Sequence, residues 1–189
     1  MKRLVFAICA LAMLFILWSC AGFPEPAGEG TSLVIGSLII DFPDGFFDQP
    51  AKRFDTDVKV FFKNTTKNAK FSLYTSHGYF YFQTNGTDEY LLESFDLSDI
   101  VIGDTRYSFG GRTIKREIAT TQNKVIYLGH LVFTFSVPGV AQLSGRESTY
   151  NYETSASADW NKDALLRFIS EQQADSPWLQ MEIIEYGRK

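Results

Sequence analysis

Cys20 ends the apolar stretch "LFILWSC", and its thiolate is the side-chain group there that can be alkylated. The only other cysteine, Cys9, lies inside the same apolar run. His77 and His130 are the only histidines. Ser76 precedes His77, but neighbours along a strand point to opposite faces. With no G-x-S-x-G anywhere in the chain, nothing marks a nucleophilic triad. Asp41, Asp44 and Asp48 around Gly45 could offer carboxylates to a hard cation, for metal-assisted hydrolysis with a histidine. Their spacing is not that of an EF-hand loop, and loop solvation with Asx turns accounts for them more simply. Tyr74, Tyr79, Tyr81 and Tyr90 could line up across strands as a stacking platform for a sugar or peptide. The alternative is cross-strand packing, with Phe inward and Tyr partly exposed.

The elements around Cys20 come first. Lys2 and Arg3 precede "LVFAICALAMLFILW", fifteen residues without a charge, the basic and apolar regions of a secretory signal. The run is short of the ~20 residues of a spanning helix, and polar, Pro- and Gly-rich sequence follows it. Leu17-Trp18-Ser19-Cys20 resembles the bacterial lipobox: an aliphatic residue, a variable one (here the unusually bulky Trp18), a small one and a cysteine. The resemblance implies cleavage between Ser19 and Cys20, a diacylglyceryl group on the Cys20 sulfur and an acyl chain, such as palmitate, on the new amine. An ordinary cleaved signal and an uncleaved anchor are the alternatives. Two or three acyl chains, at ~0.8 kcal/mol per buried methylene, make a membrane anchor that hardly dissociates. Ala21 is not the aspartate that retains such proteins in the inner membrane, so the resemblance favours the outer membrane of a bacterial envelope. In such a host the sequons Asn64-Thr65-Thr66 and Asn85-Gly86-Thr87 are accidental.

This divides the chain into a signal (1–19), a lipidated N-terminus with a flexible tether (20–31) and one domain (32–189). "AGFPEPAGEGTS" has no apolar periodicity and suits a solvated tether. The whole chain carries 18 basic and 22 acidic residues; loss of Lys2 and Arg3 leaves 16 basic and a net charge of −6. A mildly acidic chain without a basic cluster argues against a nucleic-acid partner. No motif calls for a cofactor. With Cys20 lipidated no disulfide can form, so the core must supply stability, and 17 Phe and 9 Tyr provide the area for it.

Strand signals dominate the domain. "TSLVIGSLIID" (31–41) reads as a buried strand with a bulge or close backbone approach at Gly36, and 42–55 as a loop. "TDVKVFF" (56–62) and "KFSLYT" (70–75) alternate. Gly78 opens an aromatic strand, and Asn85-Gly86 predicts a hairpin whose partner strand is Tyr90 to Phe95. A second hairpin is expected over 104–118 around Gly110-Gly111, then the longest strand over 123–136, broken by Gly129. His130 reads as a partly buried or edge residue of that strand. One helix, near 159–173, carries a stripe of Trp160, Ala164, Leu165, Phe168 and Ile169, capped by Asp159 or Ser157. Pro177 ends it, and 178–186 returns as a strand. The expectation is a mainly β sandwich or barrel with one amphipathic helix packed on a face or edge.

From Leu33 to Phe95 the chain also resembles carboxypeptidase regulatory-like, or transthyretin-like, β-sandwich domains. Val58-Lys59-Val60, the run Thr75-Ser76-His77-Gly78-Tyr79-Phe80-Tyr81-Phe82, and Tyr90-Leu91-Leu92 carry the likeness. His77 departs from the usual aspartate and "TNGTDE" from the usual turn; residues from Ile100 onward lie outside the core motif. The resemblance implies an antiparallel, transthyretin (prealbumin)-like sandwich serving as an accessory module without catalysis. The expected role is non-enzymatic binding of an envelope protein, a peptide or a carbohydrate. Structural envelope assembly and metal-assisted hydrolysis are the alternatives.

Overall fold

Strand β1 (Ser32–Phe42) is apolar on both faces, so both must be covered. The computed structural model, which describes residues 23–42, 52–54, 58–97, 100–102, 105–107, 111–136 and 153–187, shows how. One face of β1 presents Val34, Leu38 and Ile40 to a sandwich core; the other presents Leu33 and Ile35 to a second core beneath a helix.

The other elements are β2 (Lys52–Phe54), β3 (Lys59–Asn64), β4 (Ala69–Tyr74), β5 (Tyr79–Thr84), β6 (Glu89–Asp96), β7 (Ile100–Ile102), β8 (Thr105–Tyr107), β9 (Gly111–Ala119), β10 (Lys124–Ser136), β11 (Glu153–Asp159), α1 (Lys162–Gln172), a 3-10 turn (Pro177–Gln180) and β12 (Glu182–Glu185). Sheet A is built on β1 and β10; β1 also pairs with β5 and β2, and β10 with β12 and β11. Sheet B runs β4-β3-β6-β9, and β7 pairs with β8. The layers are therefore sheet B, sheet A and helix.

Three expectations of pairing are corrected. Sheet B is antiparallel throughout, but sheet A is mixed, because β1–β10 and β10–β12 are parallel. Asn85-Gly86 does not close a hairpin: β5 pairs with β1 and β6 with β3 and β9, so this link crosses between sheets. Nor is 104–118 a hairpin, since β8 pairs with β7 and β9 with β6. Within the expected loop 42–55, β2 pairs with Ile40–Phe42.

The helix begins later than expected. Asn161, not Asp159 or Ser157, is the cap, its Oδ1 accepting from the Ala164 N–H at 3.0 Å; Asp159 belongs to β11. Leu165, Phe168 and Ile169 are buried as the stripe demands. After Pro177 the chain makes the 3-10 turn before β12 starts at Glu182, and the turn leaves Trp178 fully buried.

Part of the stretch 20–31, expected as a tether, is held against the domain at Phe23, Pro24 and Gly30, while Glu25, Ala27, Gly28 and Glu29 are exposed. Phe23 is 7 % exposed, with its ring 4.8 Å from that of Tyr81. The Trp178 indole N–H donates to the Pro24 carbonyl at 2.5 Å, and Gly30 N–H to Asn123 at 2.9 Å. One apolar side chain has no periodicity to betray it, yet it fills the gap between β5 and α1.

Gly129 makes a bulge in β10. Its φ is +79°, and the β1 partners jump from Ile35↔Tyr127 to Ser37↔His130. Ile126 and Leu128 before it, and Leu131 and Phe133 after it, all enter the sandwich core, so the bulge reverses the alternation. Arg116 of β9 braces this point, donating to the Leu128 carbonyl at 2.9 Å and to the Tyr186 carbonyl. Gly36 is a close approach as expected: a Cβ there would lie 2.6 Å from the Phe80 ring.

Candidate functional site

Among the described residues, the outer face of sheet B carries the most accessible aromatic chemistry. β3 and β4 alternate, sending Val60, Phe62, Phe71 and Leu73 toward the core and Lys59, Phe61, Ser72 and Tyr74 outward. Among the described residues Tyr74 is the one exposed large apolar side chain, at 66 %. Lys59 is paired with it across the strands, and its Nζ lies 5.3 Å from the Phe61 ring centroid and 5.9 Å from that of Tyr74. Each such contact contributes about 0.5–1 kcal/mol at an exposed site. On the same face Lys70 pairs with Glu93 at 2.9 Å. Toward its β9 side is an open cavity of about 270 Å³, lined by Thr65, Glu89, Leu91, Glu117, Ala119 and Tyr186 among others. Two aromatic rings, an ammonium and neighbouring carboxylates can stack on and hydrogen-bond a planar or hydroxyl-rich ligand.

The four tyrosines do not form a single platform. Tyr79 and Tyr81 come together on the helix side of sheet A, because β5 joins β1 there. Tyr79 stacks on Phe168 with centroids 3.9 Å apart; burial, reinforced by Glu171, pushes its phenol up to about 12. Burial also raises Tyr81. Tyr90 points into the sandwich, its hydroxyl hydrogen-bonded with Thr84 Oγ1 at 2.9 Å. Tyr74 stands apart on sheet B.

Below Tyr90 lies a polar cluster that composition did not reveal. Asp88 is 6 % exposed; its Oδ2 accepts from Lys67 at 2.6 Å, Asn64 at 2.9 Å and Tyr90 at 3.4 Å. The hydrogen bond from Lys67, opposed by burial and helped by Asn64, holds the Asp88 carboxyl below its ordinary range. A depressed carboxylate stabilises the fold above the unfolded value of ~3.9, and that contribution is lost as pH falls through the folded value. Urea midpoints at pH 6 and pH 3 should therefore differ less in Asp88→Asn than in the parent chain. An equal acid loss in both would show that Asp88 is not the group responsible.

No family model, curated protein or solved structure matches this chain.

Ser19, Cys20, Asp44 and Asp48 lie outside the described residues, and Asp41 is in β1. Among the described residues no three His, Cys, Asp or Glu side chains gather as metal ligands. His77 differs from its strand reading. It has φ +50° in a tight turn with Gly78 (φ +77°), closed by the Ser76–Tyr79 bridge, and the turn brings Ser76 Oγ within 3.3 Å of His77 Nδ1. Sequence reasoning missed a second Ser–His contact: Ser37 and His130, on parallel neighbours, are hydrogen-bonded through Oγ and Nδ1. At 2 % and 7 % exposure both are covered, with Tyr79 and Tyr127 edge-on to the imidazole. Enclosure suits a structural bond between strands better than attack on a substrate. The glycine inside the predicted strand was the available signal, since only its bulge puts Ser37 opposite His130.

Proposed function

We propose that this chain is a lipid-anchored, non-enzymatic module of the bacterial envelope, its sandwich a variant of the transthyretin-like accessory domain. It binds a protein, peptide or carbohydrate partner through the outer face of sheet B. The Tyr74–Lys59–Phe61 group carries this reading: an exposed aromatic side chain held beside an ammonium is well suited to stacking on a ligand. Lipidation of Cys20 supplies the membrane association, with the outer membrane as destination.

Photo-crosslinking from position 72 in intact cells tests both parts. The expected result is a discrete envelope adduct, with affinity for the captured partner weakened by Tyr74→Ala roughly 5–30-fold, or about 1–2 kcal/mol. Cys20→Ala should shift the protein out of the membrane fraction. An adduct indifferent to Tyr74→Ala would refute the binding face. Membrane partition of processed Cys20→Ala protein would refute the lipid anchor.

A further inference from the structure

Little chain separates the expected acyl group from the folded domain. Phe23 is clamped between Tyr81 and Phe168, with ring centroids at 4.8 and 6.0 Å. The residues after it are tied down as well: Pro24 to Trp178, and Glu25 and Ala27 to Gln83. Gln173, just past α1, donates to the Glu25 carboxylate at 2.8 Å. From Cys20 to Phe23 the chain advances three residues, at most about 11 Å when fully extended. A free tether of the length expected from composition would let the domain tumble; a span of three residues would restrict that motion.

Resting on the reading of Cys20 as lipid-bearing, we infer that the seam between α1 and β5 lies against the bilayer surface. The three-residue leash holds it there, with the outer face of sheet B turned away from the membrane. The seam has fitting chemistry. Tyr79 and Tyr81 are partly buried among Phe23 and Phe168, and aromatic rings with a polar tip favour the headgroup level. The exposed side of α1 mixes Lys162 and Arg167 with Asp163 and Glu171, which suits a zwitterionic surface better than a strongly anionic one. Tyr74 lies beyond both sheets, which pack ~10 Å apart, and so faces a partner across the aqueous gap.

The test uses the full lipidated protein in phosphatidylcholine vesicles containing a headgroup spin-labelled lipid. With the Cys20 sulfur acylated, a single added cysteine takes a fluorophore uniquely: Glu171→Cys on α1 or Ser72→Cys on β4. Both proteins should float with the vesicles, and the label at 171 should be quenched several-fold more than the label at 72. Inserting about twelve Gly/Ser residues after Gly22, a mean span of roughly 20 Å, should remove most of that contrast and leave flotation intact. Equal quenching in floating protein overturns the orientation while lipidation stands. A contrast that survives the insertion overturns the leash. Protein that stays out of the vesicles overturns the lipid reading and this inference with it.

Discussion

Trp178→Ala should destabilise the domain by about 3–5 kcal/mol, as expected for a fully buried indole cut back to a methyl group. Trp178 is 0 % exposed within the core beneath α1, alongside Leu165, Phe168 and Ile169. The substitution opens a cavity and also removes the donor to the Pro24 carbonyl. For a domain of this size the thermal midpoint should drop roughly 6–20 °C. Phe168→Ala belongs in the same range, because its ring is 5 % exposed and contacts Tyr79, Tyr81 and Phe23. Denaturant titration of both variants gives the check. An unchanged midpoint for either would mean that the helix does not pack on sheet A, and would make its apolar stripe a surface for a partner.

Gly86→Ala should be nearly as damaging, although it adds only a methyl group. Gly86 has φ +73°, where an L side chain costs roughly 1–2 kcal/mol. An added Cβ would also lie 2.5 Å from the Gln122 Cα and 2.6 Å from its backbone nitrogen. Backbone cannot swing aside as a side chain can, so overpacking adds about 1–3 kcal/mol. Gly111→Ala is the matched control: its nearest contact would be an ordinary 3.7 Å, from the Phe95 carbonyl oxygen. Relief of backbone entropy there should make the change neutral or slightly stabilising. Equal losses at both positions would show that strand entropy, and not the crossing at Gly86, sets the effect.

Local alternation was enough to find β3 and β4, because Val60, Phe62, Phe71 and Leu73 must face a core whatever the topology, while β5 and β10 were found as aromatic and apolar runs. The helix stripe was legible for the same reason. Alternation does not say which sheet a strand joins, and that choice decides the fate of the tyrosines. Tyr74 and Tyr79 are five positions apart, yet the tight turn at His77-Gly78 sends them to different sheets. Asn85-Gly86 is a strong local turn signal, but pairing across it lost to the pairing of β5 with β1 about fifty residues earlier. The Asp88 cluster depends on Asn64 and Lys67 arriving from another hairpin, so no window along the chain contains it. The candidate binding face was half visible: Tyr74 was among the candidates, while Lys59 and Phe61 were read as strand alternation.

The bond between Trp178 and the Pro24 carbonyl joins residues 154 positions apart. A chain that emerges N-terminus first must therefore extend 154 residues past Pro24 before the core beneath α1 can close. β1 waits likewise for β10, its parallel partner about ninety residues on. Closing such long loops is entropically slow, and folds dominated by distant pairings form late. Under the export proposed above, which would carry the chain across a membrane before folding, such delay is an advantage: Trp178 arrives late and locks Pro24 in place.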